Sequence, residues 1–129
     1  MSDIQNIIER STFHRAGTYL YVRASAVRNP ESHLMVTRDD RELTVVTTEE
    51  QLEDVDVIER NPDRWTLLTI DCANPFYCVG FIAKISARLS AAGIDILVVS
   101  TFSRDWVMVK DEDADLAATL LREIGFHEL

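Results

Sequence analysis

The sequence predicts an α+β fold in which a βαββαβ unit occurs twice in tandem and the first copy lacks its first helix. When the 129-residue sequence is shifted by 63 positions, residues 33–51 align with residues 96–114 without a gap. In both copies two runs of apolar and β-branched residues flank a polar turn, which is typical of a β-hairpin. An acidic segment follows each hairpin and is suited to the positive end of a helix. These features indicate an internal duplication.

The first unit covers residues 18–62. Its first strand is predicted at residues 18–24 (TYLYVRA), which are rich in β-branched and aromatic side chains. The stretch that follows, residues 25–31 (SAVRNPE), is about one helix shorter than its counterpart in the second unit, so we expect a loop there. A polar turn at residues 60–64 (RNPDR) separates the two units. Residues 1–17 precede the repeat as an extension, and we expect them to carry a short helix.

The second unit covers residues 63–129 and contains the complete set of elements. Its first strand is predicted at residues 65–72 (WTLLTIDC). A last helix is predicted between the acidic residues 111–115 and Gly125, and residues 126–129 (FHEL) are expected to add a closing strand. The first helix is predicted from apolar residues at helical spacing that stop at Gly93, namely Phe81, Ile82, Ile85, Leu89 and Ala92.

The composition argues against several classes of function. Twenty-two acidic residues against 13 basic ones give a net charge of −9, which repels polyanions, so we expect no nucleic-acid partner. No apolar run reaches the roughly 18 residues that a membrane span requires. The N-terminus does not resemble a signal or transit peptide, so we expect a cytoplasmic protein with no membrane partner. The three histidines are scattered singly, and we expect no metal and no cofactor.

The two cysteines, Cys72 and Cys78, match neither a CxxC redox pair nor a usual zinc spacing. We expect two reduced, mostly buried thiols. A nucleophilic Cys78 close to a helix N-terminus is the alternative.

Both faces of the second hairpin are apolar. Along residues 94–100 (IDILVVS) and 106–109 (WVMV) both alternating sets of side chains are apolar, whereas a sheet with one face in water should alternate with polar residues. Large open apolar patches are rare on soluble monomers. We therefore expect a homodimer that forms through a sheet face or edge.

Residues 18–129 resemble tandem ACT-domain proteins, specifically the small amino-acid-binding type related to cytosolic arginine sensors. The resemblance rests on Phe76 four residues before Gly80, on AGIDI after the helix, and on STFSRDWVMV with its acid at Asp105. It implies a ferredoxin-like ACT fold that is duplicated in tandem. It also implies a non-catalytic regulatory module that holds a free amino acid at an interface between ACT units.

The resemblance places the ligand-binding residues in the strand-to-helix loop and in the second hairpin. A glycine that opens a helix lets backbone N–H groups approach the carboxylate of the ligand. An acid at the strand start can accept a hydrogen bond from the ammonium group. The loop lacks the acid that some relatives carry just before the glycine, so an apolar or small polar amino acid fits better than arginine. The predicted ligand-binding residues are Phe76, Cys78, Val79, Gly80, Ser100, Thr101, Phe102 and Asp105.

Structural explanations exist for several of these residues. Gly80 could allow close packing of helix on strand, and Asp105 could be a surface acid beside Arg104. Ser100 and Thr101 could bridge the turn through bonds to the backbone. Glu42, which the repeat aligns with Asp105, is interpreted as a relic of the duplication or a pairing acid, because its unit lacks the helix and the glycine loop.

Two other functions remain open at the level of sequence. An ACT-like module for dimerisation or assembly could keep the sheet and have no ligand. A small ferredoxin-like enzyme is the second alternative. The sequence offers no combination of nucleophile, base and orienting residue, no phosphate loop and no metal cluster, so we do not predict an enzyme.

Overall fold

The computed structural model describes residues 3–76 and 78–129. The chain divides into two compact units. The terminal unit consists of the described part of Met1–Gly17 together with Thr66–Leu129, and the central unit is Thr18–Trp65. The first two residues of the predicted 1–17 extension lie outside the described residues.

The terminal unit contains the predicted βαββαβ arrangement. The last six of its elements have the expected order of strand, helix, strand, strand, helix and strand, so the predicted ferredoxin-like α+β arrangement is confirmed for this unit. Its strands follow the order β1, β5, β7, β6, and β8 pairs in parallel with β1. The elements are α1 (Asp3–Glu9), the start of β1 (Thr12–Val27), β5 (Trp65–Asp71), α2 (Phe81–Ala91), β6 (Ile96–Ser100), β7 (Asp105–Lys110), α3 (Ala114–Glu123) and β8 (His127–Glu128).

One face of β5 and β7 forms the core of the terminal unit. Alternation along the strands brings Leu68, Ile70, Val107 and Val109 into one buried cluster. The apolar sides of the helices supply the rest of that cluster, including Ile85, Leu89 and Leu121. Each fully buried side chain of this kind contributes about 1.5 to 3 kcal/mol relative to exposure.

Both long helices end where the sequence predicts, and by the same backbone device. After α2, the Gly93 N–H bonds the Ser90 carbonyl at 3.0 Å and the Ile94 N–H bonds the Leu89 carbonyl at 3.1 Å. After α3, Gly125 and Phe126 make the equivalent pair of bonds. This is the Schellman arrangement, in which a glycine at positive φ satisfies carbonyls that the helix leaves unpaired.

The central unit has a strand-only framework with short 3₁₀ segments. Its strands are the rest of β1, β2 (Met35–Arg38), β3 (Leu43–Thr47) and β4 (Val55–Arg60), and both β3 and β4 pair antiparallel with β1. Residues 25–27 of the predicted loop continue β1, and a 3₁₀ turn follows at Pro30–Ser32. The acidic segment after the hairpin forms a 3₁₀ helix, Glu49–Asp54. It ends directly before β4, which begins at Val55 and leaves no room for a longer helix.

The two hairpins pair in different registers. In the second hairpin Ser100 pairs with Asp105. The residues that the repeat aligns with them are Thr37 and Glu42, but Thr37 pairs with Thr44. Glu42 therefore lies in the turn before β3, whereas Asp105 is the first residue of β7.

The first strand begins earlier than predicted. β1 starts at Thr12 rather than at residue 18. The short helix of the extension is confirmed as α1, and its Ile7 and Ile8 belong to the core of the terminal unit.

The second face of β5 and β7 is already buried within one chain. Leu67 and Met108, which alternate with the core residues, are each only 2% exposed. For β7, the chain itself therefore covers the second apolar face at Met108. The edge strand β6 differs, because Val98 is 39% exposed.

Candidate ligand-binding site

A pocket of about 310 Å³ lies in the terminal unit, at the low end of the range of small-molecule sites. Its walls are the loop after β5, the first turn of α2 and the turn between β6 and β7. Val79, which was also predicted to bind ligand, is outside the lining and 98% exposed. The other predicted residues all line the pocket, namely Phe76, Cys78, Gly80, Ser100, Thr101, Phe102 and Asp105.

Gly80 opens α2 in the left-handed conformation, with φ 86° and ψ 2°. A Cβ added at this position would meet no atom within 4 Å, so close packing of helix on strand does not explain the glycine. The first N–H groups of a helix lack intrahelical partners, and no side chain caps those of α2, although the Phe81 N–H donates to the Cys78 carbonyl at 3.2 Å. Ile82 and Ala83, in that first turn, line the pocket. The pocket therefore includes a helix end that favours an anion.

Asp105 stands on the opposite wall at the start of β7. It is half-buried, and the Ser100 hydroxyl donates a hydrogen bond of 2.7 Å to its Oδ1. The alternative was a surface ion pair between Asp105 and Arg104. The Arg104 guanidinium instead donates a hydrogen bond to the Asp71 carboxylate at 3.0 Å. Asp105 is thus a carboxylate oriented by a neutral donor.

Thr101 serves the turn between β6 and β7. Its Oγ1 accepts a hydrogen bond from the Arg104 N–H at 3.1 Å and lies 3.1 Å from the Arg104 carbonyl oxygen, to which the hydroxyl donates. The Thr101 N–H also donates to that carbonyl at 2.8 Å. Hydrogen bonds to the backbone of the turn therefore account for the position of the Thr101 hydroxyl without a ligand.

Two exposed aromatic rings stand at the pocket. Phe76 and Phe102 meet edge to face, with ring centroids 5.4 Å apart, although they are 69% and 86% exposed. Phe76 also has φ 71°, the only positive φ of a non-glycine residue in the described part of the chain. Such conformations are costly for a bulky residue and concentrate at functional sites.

Sequence reasoning did not place Cys72 in the site. It follows β5 directly and lines the pocket beside Cys78. Burial, together with the neighbouring Cys72 and the charge of Asp105, raises the pKa of the Cys78 thiol. A catalytic cysteine nucleophile needs the opposite shift, so Cys78 rests as a thiol near neutral pH and reacts only through the minor fraction that loses its proton.

Glu42 lines a separate, shallow pocket of about 380 Å³ in the central unit. The two arginines of that pocket are already paired, Arg23 with Glu59 at 3.2 Å and Arg60 with Glu49 at 2.6 Å. Among residues 3–76 and 78–129, no group of three or more metal-ligating side chains could hold an ion. No helix in the described residues is long and apolar enough to cross a membrane.

The structure resembles several solved proteins. A protein of unknown function from Vibrio cholerae, described as a possible transport protein, superimposes with a TM-score of 0.79 at 21% identity, over 95% of each chain. A protein from Agobacterium tumefaciens gives a TM-score of 0.74 at 28% identity, over 92% of each chain. The regulatory subunit of aspartate kinase from Thermus thermophilus gives 0.60 at 11% identity, over 88% of this chain and 95% of that one.

A search of curated proteins finds no match. The ACT-domain family, in contrast, matches residues 60–123. That range runs from the end of β4 to the end of α3 and includes every residue that lines the 310 Å³ pocket. The chain therefore contains an ACT domain.

Proposed function

We propose that this protein is a non-catalytic regulatory module that binds a free amino acid in the 310 Å³ pocket. The observation that carries the proposal is the pairing of two opposite polar features in one pocket. The start of α2, which no side chain caps, favours a carboxylate, and Asp105 favours an ammonium group. A free amino acid carries both groups on one carbon atom.

The rim of the pocket suggests the class of side chain. Phe76 and Phe102 offer apolar ring surface, and the residues before Gly80 supply no acid to pair with a cationic side chain. We therefore propose an apolar or small polar amino acid as the ligand. The aspartate kinase regulatory subunit of similar fold supports the regulatory part of the proposal.

We also propose that ligand binding is coupled to the association of two copies in the cytoplasm. The strand β6 ends at Ser100, which lines the pocket, so a second copy that approaches this edge comes next to the bound amino acid. The exposed ring of Phe102 at the same place supplies apolar surface for that copy to cover.

A thermal-shift screen of the common amino acids tests the binding proposal. At a concentration of about 100 times Kd, a ligand stabilises the folded state by about 2.7 kcal/mol, which is a shift of several degrees in Tm. The Asp105→Asn variant should lose this shift, because the amide no longer offers a full negative charge to the ammonium group. Its Tm without ligand should stay close to that of the wild type.

Glu42→Gln is the matched control, because the repeat aligns Glu42 with Asp105 and the substitution removes an acid outside the 310 Å³ pocket. It should keep the full ligand-induced shift. A stabiliser that acts equally on the Asp105→Asn variant would contradict the role of Asp105. A screen in which no amino acid stabilises the protein would favour the assembly module instead.

A further inference from the structure

The two cysteines of the chain meet at the wall of the pocket. Cys72 is the first residue after β5, and Cys78 lies two residues before Gly80 at the start of α2. Both thiols are free and both line the pocket. The side chain of Cys78 is hydrogen-bonded to that of Cys72. The fold thus places in contact two thiols whose spacing in sequence matches no redox motif.

The two thiols differ in access to solvent. Cys72 belongs to the buried core of the terminal unit, whereas Cys78 is partly exposed and packs against that core. An external reagent therefore reaches Cys78 more readily than Cys72, which lies behind it in the core. This is the division between an attacking and a resolving cysteine. Burial raises the pKa of Cys78, so this residue rests as a thiol near neutral pH.

We propose that Cys72 and Cys78 are a redox modification site, which glutathione disulfide or a similar small disulfide converts to an intrachain disulfide across the pocket wall. The Cys78 thiolate attacks one sulfur of glutathione disulfide, and one glutathione leaves and takes up the proton that Cys78 lost. The Cys72 thiolate then attacks the Cys78 sulfur of the mixed disulfide. A second glutathione leaves with the proton from Cys72. Two electrons and two protons pass from the cysteines to the reagent.

The disulfide closes the loop between β5 and α2. That loop carries Phe76 and Gly80, so its backbone becomes more constrained when the bond forms. The expected effect on a bound amino acid rests on the proposed function, whereas formation of the bond does not. Oxidation is therefore measured without any amino acid.

The experiment uses the full chain under native conditions, in buffers of increasing ratio of oxidised to reduced glutathione at mildly alkaline pH. Intact mass and a count of free thiols follow the reaction. We expect both thiols to disappear together, with a mass lower by two hydrogen atoms and no retained glutathione. Reduction should restore both thiols.

Two variants separate the steps. Cys72→Ser has no resolving thiol and should accumulate one stable glutathione adduct at Cys78. Cys78→Ser keeps only the buried thiol and should react far more slowly than Cys72→Ser. In the oxidised wild type, amide hydrogen exchange should slow in the loop between β5 and α2.

Three results would overturn the proposal. The wild type could retain a glutathione adduct as Cys72→Ser does, it could form disulfides between chains, or its thiols could stay unreacted under conditions that modify the unfolded chain. None of these depends on an amino acid. A failed amino-acid screen therefore leaves the redox proposal standing, and a failed oxidation leaves the binding proposal standing.

Discussion

Gly80 shows how one residue joins local backbone geometry to the candidate site. Its φ of 86° lies in the region that side chains of L residues avoid, and the space around it is open. The sequence predicted that Gly80 opens a helix, because a glycine at the start of a helix is a recognisable signal. It did not separate the packing explanation from the conformational one, since that distinction depends on neighbours that only the fold supplies.

Gly80→Ala should destabilise the protein by about 1 kcal/mol, because alanine pays a steric cost at positive φ. Gly80→Asn is the matched substitution. Asparagine tolerates the left-handed conformation and can cap a helix, so its cost should be clearly smaller. Urea denaturation of the two variants measures the difference. Equal losses would mean that the space at Gly80, rather than its φ, limits the position.

In the central unit, the buried side chain of His33 links three segments. His33 itself precedes β2, and it contacts Thr47 at the end of β3 and Asp54 at the end of the 3₁₀ helix Glu49–Asp54. The His33 side chain is fully buried, with Nδ1 2.7 Å from Thr47 Oγ1 and Nε2 2.7 Å from Asp54 Oδ2. A carboxylate only accepts hydrogen bonds, so Nε2 carries the proton that Asp54 receives. Asp54 also accepts from the backbone and side chain of Asn29, at 2.8 and 2.6 Å.

Asp54→Asn should lower the Tm, because it weakens this buried network. Loss of contact with water opposes ionisation of Asp54, but hydrogen bonds from Asn29 and His33 outweigh it and lower its pKa. The contribution is present above the unfolded-state pKa of about 3.9 and is lost as the pH falls through the lower folded-state pKa. The stability of the variant should therefore fall less than that of the wild type on acidification.

Denaturant titrations between neutral pH and pH 3 measure this difference. Asp56→Asn is the control, since Asp56 forms only an exposed pair with Arg28 at 3.0 Å. It should leave both the stability and its pH dependence nearly unchanged. If Asp54→Asn and Asp56→Asn behaved alike, the His33 network would not be a source of stability.

Elements were predictable where their signals are local. The stops at Gly93 and Gly125 were correct because a Schellman end needs only the glycine and its neighbours. The register of the hairpins was not predictable from the repeat. The internal sequence alignment matches Glu42 with Asp105. In the structure, however, Thr37 pairs with Thr44, so Glu42 lies in a turn. The pairing register of two strands depends on which face is buried and on the geometry of the turn. A sequence alignment contains neither kind of information.

For the whole molecule, the sequence predicted apolar side chains on both faces of the second hairpin, and its two strands differ in burial. In β7 the chain itself buries Met108, and in the neighbouring strand β5 it buries Leu67, each to 2% exposure. In the part of the chain that the structure describes, β6 is the last strand of its sheet, and its sequence, ILVVS, contains no charge. Proteins usually protect such edges with charged residues, so an apolar edge favours pairing with another strand.

We therefore expect a homodimer at micromolar concentration through the β6 edge, and Val98→Lys should weaken it at least about tenfold, or about 1.4 kcal/mol. Val98 is 39% exposed, and a lysine there places a charge on the edge. Leu116→Lys is the control, because Leu116 is comparably exposed, at 47%, but lies on α3. Sedimentation velocity measures both variants. A dimer that resists Val98→Lys but dissociates with Leu116→Lys would move the interface from the strand edge to the helical face.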